Sequence, residues 1–167
     1  MSLELYNKKR KFDQTKEPKG TVKKSSTNRF VVQEHQASHL HYDFRLAMAG
    51  VLKSWALPKG MPLKSGERRL AVQTEDHPVD YLDFAGVIPS GNYGAGTVKI
   101  WDKGKYEIQK NQKPVSSGVE RTKKQENKIS ELVFELVGKK LKGRYALIKP
   151  KEGKFGPKAW LLLKLKE

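Results

Sequence analysis

From residue 29 onwards, short apolar runs alternate with polar turn sequences in the manner of β-structure. Residues 39–46 alternate strictly between polar and apolar side chains, and residues 98–101 and 106–108 flank Asp102-Lys103-Gly104-Lys105, which predicts a hairpin. Further β-prone runs occupy residues 30–32, 51–57, 70–72, 132–137, 141–149 and 159–165. Eight or nine short strands with little helix predict a mainly β fold, a compact closed or nearly closed β-barrel of about eight strands. A β-sandwich is the alternative.

Three segments lack this periodicity. Residues 1–28 are polar and contain the turn sequence Glu17-Pro18-Lys19-Gly20, which predicts an irregular, basic N-terminal arm. Residues 111–128 predict a loop with at most one helical turn, and residues 150–157 a second loop. The chain is therefore divided into an arm, 1–28, and a single barrel domain, 29–167.

Charge indicates what such a domain binds. The chain has 34 basic and 18 acidic residues, a formal charge of +16, which favours nucleic acid as a partner and an anionic membrane second. The longest strongly apolar run, residues 159–163, is far shorter than the roughly 20 residues of a spanning helix, and no lipidation motif stands out. No apolar segment follows the basic N-terminus, so a secretory signal is not expected. A cytoplasmic monomer without a membrane partner is the resulting expectation.

The charge is unevenly distributed along the chain. Residues 1–29 carry +6, residues 30–102 carry −1 and residues 103–167 carry +11. Basic flanks that grip a polyanion around a chemically different centre, or simply solvated flanks, account for this equally well. The chain has no cysteine, which excludes disulfides and zinc-thiolate sites.

The candidate chemistry lies in residues 35–45, which contain three of the four histidines. Because side chains alternate along a strand, one face carries the polar residues His39, His41, Asp43 and Arg45. The opposite face is apolar and is predicted to belong to a core: Leu40, Tyr42, Phe44 and Leu46.

This polar face suits a metal-assisted reaction on a phosphate. Two imidazoles and one carboxylate can hold Mn, Fe or Zn with open coordination positions. The adjacent Arg45 could contact phosphate oxygens with its planar guanidinium. A straight strand does not readily offer His39, His41 and Asp43 to one ion, so one of them is expected to have another role.

The order of motifs resembles a known family. Phe30-Val31-Val32-Gln33-Glu34-His35, Leu40-His41-Tyr42-Asp43-Phe44-Arg45-Leu46, Glu75-Asp76-His77-Pro78-Val79-Asp80-Tyr81 and Gly91-Asn92-Tyr93-Gly94-Ala95-Gly96 are similar to the 3′-phosphoesterase domain of bacterial ligase D end-joining proteins. The similarity covers nearly the whole chain. It implies a compact β-barrel, manganese as cofactor, removal of a 3′-terminal ribonucleoside in a step that uses the 2′-OH, and hydrolysis of the remaining 3′-phosphate to a 3′-OH. It also implies DNA or RNA-tipped primer-template ends as substrate, with a ligase, polymerase or Ku-like protein as partner.

The resemblance assigns roles to individual residues. His35, His41 and Asp43 would be the metal ligands, and Arg45 and His77 would contact the phosphate. Lys59 and Arg69 would also bind phosphate. Further matches to active-site positions of the family are Gln33, Tyr81, Glu75, Arg10 and Glu17. Because Arg10 and Glu17 belong to residues 1–28, the resemblance implies that the arm packs on or near the active site.

Two residues depart from the family pattern. Lys11 stands where an Asp is common, which would weaken ribonucleoside removal if that Asp assists it. His39 stands where Arg is common and is not a ligand in the family pattern.

Without the resemblance, simpler interpretations compete for several residues. His77 and Lys59 lie in turn-like contexts, Arg69 would be exposed at the start of a strand, and Tyr81 could belong to a core. The glycines at 91, 94 and 96 indicate tight turning rather than a phosphate-binding loop, because the Gly-Lys-Ser/Thr ending is missing. The three tryptophans at 55, 101 and 160 lie in β runs and are predicted to be core residues.

Two other classes of function remain open from the sequence. A non-catalytic barrel comparable to an OB-fold would bind nucleic acid through the basic flanks and would not need the in-line histidines and aspartate. A cupin-type non-haem iron oxygenase also carries His-x-His on a barrel strand, but it usually has Glu four residues after the second His, where this chain has Arg45.

Overall fold

The computed structural model describes residues 3–20, 28–109, 131–150 and 156–166. In these ranges, a short helix, α1 (Glu4–Lys8), is followed by nine strands and one 3-10 helix, Val79–Asp83. The strands are β1 (Arg29–Gln36), β2 (Leu40–Met48), β3 (Val51–Leu57), β4 (Arg68–Pro78), β5 (Gly86–Ile88), β6 (Gly96–Ile108), β7 (Glu131–Gly138), β8 (Lys142–Ile148) and β9 (Ala159–Lys164). Among the described residues, no helix is long and apolar enough to cross a bilayer.

The strands close into an antiparallel barrel, which confirms the predicted fold class. The order β1-β2-β3-β4-β9-β8-β7-β6 is closed by pairing of β1 with β6, and β5 is an extra strand on β6. A two-residue turn joins β2 to β3, and it needs positive φ at both residues, 53° at Ala49 and 83° at Gly50. The predicted loop 111–128 and most of the loop 150–157 lie outside the described residues.

Two separate apolar clusters result from the alternation of side chains. The barrel interior contains the apolar residues of β1 and β2 that point inwards, Phe30, Val32, Phe44 and Leu46, together with Trp55 and Trp160. Trp55 and Trp160 are therefore core residues as predicted, whereas Trp101 is only partly buried at the edge of this cluster. Leu40 is 51% exposed, so the predicted core face of β2 begins only at Tyr42.

The second cluster lies on the outer wall of the barrel. Val31 and Ala47, on the outward faces of β1 and β2, pack with Leu3 and Tyr6 of the N-terminal arm and with Tyr81 of the 3-10 helix. The arm is therefore not wholly irregular as predicted, because it contains α1, and Tyr6 of this helix is fully buried. The Tyr6 hydroxyl donates to the carbonyl oxygen of Pro18, which ties the two ends of the described arm together.

The predicted hairpin at residues 102–105 is wrong, because β6 runs through it as one strand of 13 residues. Asp102 is 4% exposed, and its carboxylate accepts hydrogen bonds from the backbone amides of Lys139 (3.0 Å), Lys140 (3.1 Å) and Leu141 (2.8 Å). A side chain at Gly104 would collide with the carbonyl oxygen of Val137. Asp102 and Gly104 thus serve the β7–β8 turn and close strand packing rather than a turn of their own.

Asp102→Ala is expected to lower the free energy of unfolding by about 3 kcal/mol, because three amides of the β7–β8 turn lose their acceptor. Denaturant unfolding of both proteins measures this. Glu107→Ala, at an exposed position of the same strand, is the control and should change the value by less than about 0.5 kcal/mol. Equal stability of the two variants would contradict the role of Asp102.

Candidate active site

A pocket of about 220 Å³ lies on the outer wall of the barrel. Its lining comes from the N-terminal arm, from β1, β2, β4, β5 and β6, from the 3-10 helix and from the loop before β6. Interior packing of Phe44 and Leu46 turns the intervening side chains of β2 outwards. The polar residues that line the pocket are Arg10, His35, His41, Asp43, Arg45, Thr74, Glu75, His77, Tyr81 and Tyr93. Sequence alternation therefore predicted the orientation of the polar side chains on β2.

Three of these side chains offer a ligand atom to one point. His35 of β1 is the cross-strand partner of His41 on β2, and Asp43 lies two residues further along β2. Asp43 Oδ2 is 3.4 Å from Nδ1 of His35 and 3.3 Å from Nε2 of His41. The three ligand atoms lie within 4.8 Å of one another. The third member thus comes from the neighbouring strand, whereas His39 is exposed and precedes β2.

The backbone fixes how each imidazole faces this point. Nε2 of His35 lies 2.7 Å from the carbonyl oxygen of Gly94, and Nδ1 of His41 lies 3.2 Å from that of His39. A carbonyl only accepts, so each of these nitrogens carries a proton, and the other nitrogen of each ring faces Asp43. Positive charge between these two nitrogens and the carboxylate, supplied by protons or by one divalent cation, holds the three groups together. This donor set fits a divalent cation.

The charge state of the cluster points the same way. Burial alone would raise the pKa of Asp43, but the charge of Arg45 and hydrogen bonding to His35 and His41 hold that pKa far below its ordinary value. Hydrogen bonding to Asp43 raises the pKa of His41, against the opposing effect of burial. Asp43 is therefore an anion that attracts protons or a metal ion to the two rings.

Arg45 lies beside the cluster and is 4% exposed. Its Nε donates to Oε1 of Gln33 at 2.7 Å, and its Nη2 lies 3.5 Å from Oδ2 of Asp43. Gln33 is itself held by the carbonyl oxygens of Tyr81 and Phe84, each at 2.9 Å. Within the described part of the chain, the buried Nη1 of Arg45 has no hydrogen-bond partner. A buried guanidinium with a spare donor beside a cation site is suited to a phosphate oxygen.

The N-terminal arm contributes a second guanidinium. Arg10 contacts Oε2 of Glu17 at 3.1 Å and Oε1 of Glu75 at 3.0 Å, and its side chain is 5% exposed. The hydroxyl of Tyr81 donates to Oε2 of Glu17 at 2.6 Å, which connects the arm to the 3-10 helix. Burial alone would raise the pKa of Glu75, but Arg10 lowers it. Both carboxylates therefore serve to position Arg10 in the pocket.

His77 lies in β4 and is 4% exposed, so its interpretation as a surface turn residue is wrong. Its Nε2 is 3.3 Å from Nη2 of Arg10, and its Nδ1 is 2.9 Å from the carbonyl oxygen of Glu75. Burial, followed by the charges of Arg45 and Arg10, lowers the pKa of His77 well below the ordinary value. His77 is therefore neutral, with its proton on Nδ1 and its Nε2 accepting from Arg10.

Four residues assigned from the resemblance do not line the pocket. Gln33 and Glu17 lie behind it and hold Arg45 and Arg10, whereas Lys59 and Arg69 lie apart from it. Lys59 is exposed in the connection between β3 and β4, and Arg69 near the start of β4 pairs with Glu67 at 2.7 Å. Both lie at the end of the barrel next to the pocket, because Leu57 at the end of β3 pairs with Tyr42, the neighbour of His41. The structure brings the other assigned residues together, either in the lining of the pocket or directly behind it: His35, His41, Asp43, Arg45, His77, Glu75, Tyr81, Arg10, Gln33 and Glu17.

The loop between β5 and β6 has no predicted role in the site. Tyr93 lines the pocket, 47% exposed, with Nζ of Lys9 lying 4.5 Å from its ring centroid. Gly94 supplies the carbonyl that orients His35. The glycines of this segment predict tight turns. Only the folded loop shows that Tyr93 lines the pocket and that the Gly94 carbonyl contacts His35 of β1.

Comparison with known proteins gives the family. The family model described as the DNA ligase D 3′-phosphoesterase domain matches residues 33–149. This chain belongs to the DNA ligase D 3′-phosphoesterase domain family.

Curated relatives place this domain in larger proteins. The multifunctional non-homologous end joining protein LigD of Pseudomonas aeruginosa is 48% identical over 99% of this chain, which covers 19% of that protein. LigD of Mycolicibacterium smegmatis is 44% identical over 99% of this chain and is covered over 21% of its length. The corresponding DNA repair protein of Mycobacterium tuberculosis is 44% identical over 88% of this chain, with 18% of its length covered. The chain thus spans about a fifth of the length of these relatives.

Proposed function

We propose that this chain is a manganese-dependent phosphoesterase that processes the 3′ ends of DNA and RNA-tipped primer strands. It removes a 3′-terminal ribonucleoside in a step that uses a 2′-OH, and it hydrolyses a 3′-phosphate to leave a 3′-OH. The carrying observation is that His35, His41 and Asp43 meet directly beside the unpaired Nη1 of Arg45, in a pocket of a 3′-phosphoesterase family member.

The proposal assigns the metal to His35, His41 and Asp43. Imidazole nitrogens with one carboxylate suit manganese and other divalent transition metals. When bound, such an ion supplies Lewis-acid polarisation of a phosphoryl oxygen and a lowered pKa for a coordinated water. The protein contribution is to fix both rings through the carbonyl oxygens of Gly94 and His39 before substrate arrives.

Arg45 and Arg10 would hold the phosphate. Arg45 has a donor to spare, and its own position is fixed by Gln33 and by the Tyr81 ring, whose centroid is 4.9 Å from the guanidinium carbon. Arg10 is held by two carboxylates, so it can face an anion without large loss of side-chain freedom on binding. Both cations therefore stabilise the negative charge that develops on phosphoryl oxygens.

His77 is the residue best placed to move a proton. It is neutral because burial and two guanidinium groups disfavour its charged form. A phosphate bound at Arg10 and Arg45 offsets those charges, so His77 can then take up a proton and donate it to the substrate. Its Nδ1 stays fixed by the carbonyl oxygen of Glu75.

A 3′-OH is the end that polymerases extend and ligases seal. The relatives are named as non-homologous end joining proteins, so we propose that this chain acts on broken ends in that setting. A ligase, a polymerase or a Ku-like end-binding protein is the proposed partner.

A 3′-end assay tests the proposal. Labelled primer-templates that end in a 3′-phosphate or in a ribonucleotide are incubated with manganese or with a chelator, and the products are separated on a denaturing gel. We expect conversion of the 3′-phosphate to 3′-OH with manganese and none with chelator. Bound but unprocessed ends under both conditions would contradict the phosphoesterase and favour a binding barrel.

The ribonucleotide substrate also tests the departure at Lys11. If phosphate is removed but the ribonucleoside is not, Lys11→Asp, which restores the common family residue, should recover ribonucleoside removal. Lys11 is exposed in the arm next to Arg10, so this change is not expected to disturb the core.

A further inference from the structure

One end of the barrel carries almost all of the net charge of the described chain. Residues 58–69, 138–144 and 164–166, which we name the basic collar, contain ten Lys or Arg and a single acidic residue, Glu67, a net +9. The described chain as a whole has 24 basic and 14 acidic residues, a net +10. The remainder of the described chain is therefore close to neutral.

The three ranges form one continuous surface. The amide of Gly66 donates to the carbonyl oxygen of Lys164 at 2.7 Å, and the amide of Lys164 donates to that of Glu67 at 3.1 Å. The amide of Leu165 donates to the carbonyl oxygen of Arg144 at 2.9 Å. The β3–β4 connection, the residues that follow β9 and the start of β8 thus meet at this end.

Described residues cancel little of the charge of the collar. Glu67 is occupied by Arg69 and by the amides of Leu63 and Lys64. Lys139, Lys142 and Lys166 are exposed, and their amines form no ion pair with any described residue. This surface therefore has positive charge available for an external polyanion.

The collar begins next to the candidate active site. Leu57 pairs with Tyr42, and His41 precedes Tyr42 on β2, so Lys59, two residues after Leu57, lies at the same end of the barrel as His41. From there the collar continues across β4, β9, β8 and β7, which are neighbours in the barrel. A ligand whose end is bound in the pocket can extend along it.

We propose that the basic collar binds the phosphate backbone of the duplex behind the 3′ end that enters the pocket, a proposal that rests on the proposed nucleic-acid substrate. Four neighbouring strands span about 14 Å, and a duplex segment of this length carries about eight phosphate charges on its two strands, of which those on the near side face the collar. Lys59 and Arg69 belong to this contact rather than to the pocket. The collar sets affinity and register, and the pocket supplies the chemistry.

The experiment compares two triple variants with the same change in charge. Lys139→Glu/Lys142→Glu/Lys166→Glu removes collar charge, and Lys103→Glu/Lys149→Glu/Lys158→Glu changes three exposed lysines elsewhere. Affinity for a labelled primer-template duplex is measured by fluorescence anisotropy over a range of salt concentrations, in chelator so that no turnover occurs. Circular dichroism and manganese binding by calorimetry establish that each variant is folded.

The collar variant is expected to bind duplex at least about tenfold more weakly, with its log–log salt slope reduced by about 2 to 3, since each lost phosphate contact contributes roughly 0.9. The control variant should change affinity less than about threefold. Equal losses in the two variants would overturn the proposal, because they would reflect total charge alone. Should the glutamates unfold the protein, the corresponding glutamines at the same three positions give the same comparison with half the charge change.

An anionic membrane is the other polyanionic surface that the collar could bind, and the experiment tests it. Sedimentation with vesicles of an anionic phospholipid is run for both variants. Collar-dependent vesicle binding without collar-dependent duplex binding would overturn the proposal and make this end a membrane contact. Because duplex binding is measured without turnover, failure of 3′-phosphate hydrolysis would contradict the proposed function and leave the result on the collar standing.

Discussion

His41→Ala is expected to lower turnover of a 3′-phosphate substrate by at least about 10³-fold and to abolish tight manganese binding, while the fold stays intact. The side chain of His41 is 25% exposed and contacts Asp43 and the carbonyl oxygen of His39, and the residue belongs to neither apolar cluster. Its loss therefore removes a ligand and creates no cavity in a core. Steady-state kinetics, calorimetry with manganese and thermal unfolding measure the three quantities.

The neighbouring histidine provides the control. His39 is exposed, precedes β2 and offers only its backbone carbonyl to His41. His39→Ala should leave turnover within about threefold of the unmodified protein, because the carbonyl is retained. Unfolding of His41→Ala, or manganese binding that survives it, would contradict the assignment of the site to the outer face of β2.

Arg45→Lys is expected to lower kcat/KM by about 10²- to 10³-fold while manganese binding is retained within a few-fold. A lysine keeps one positive charge in this buried position. Arg45 reaches Gln33 from Nε, Asp43 from Nη2 and the pocket from Nη1, and the single nitrogen of a lysine cannot occupy all three positions. The loss would therefore fall on phosphate positioning, not on the metal site.

Separate readouts distinguish this effect from simple damage. Manganese calorimetry and thermal unfolding show whether the site and the fold are retained. Arg29→Lys, at a residue whose side chain is 40% exposed, is the matched control and should leave kcat/KM within about twofold. Unchanged kcat/KM in Arg45→Lys would show that a point charge suffices and would remove the argument from the unpaired Nη1.

The strand pattern predicted the barrel because each short alternating run has an apolar face that must be buried in an interior. Phe44 and Leu46 form such a face. It failed at residues 102–105, where Asp and Gly are ordinary turn residues. The carboxylate of Asp102 is instead needed by amides 37 to 39 positions later, and the missing side chain of Gly104 leaves room for β7. Such long-range partners leave no local signal in the sequence.

The candidate site divides in the same way. Alternation placed His41, Asp43 and Arg45 on one face, but the pairing of His35 with His41 depends on strand register. The resemblance named Arg10 and Glu17, yet their contacts with Glu75 and Tyr81 require the arm to fold back over β4 and the 3-10 helix. The resemblance assigned Lys59 and Arg69 to the site, but both lie outside the pocket. Tyr93 lines the pocket only because the loop before β6 folds against it.

Both faces of β2 are in use, and this limits how its sequence can change. From Asp43 to Ala47 every side chain is buried, alternately by the barrel interior and by the outer wall with its pocket. A strand of an ordinary barrel tolerates substitution at every second position, because those side chains face water. Between residues 43 and 47 no side chain faces water. A shift in strand register that accommodated a change on the interior side would therefore also move the candidate ligands on the outer side. Substitutions at residues 43–47 are therefore confined to side chains of similar size and polarity.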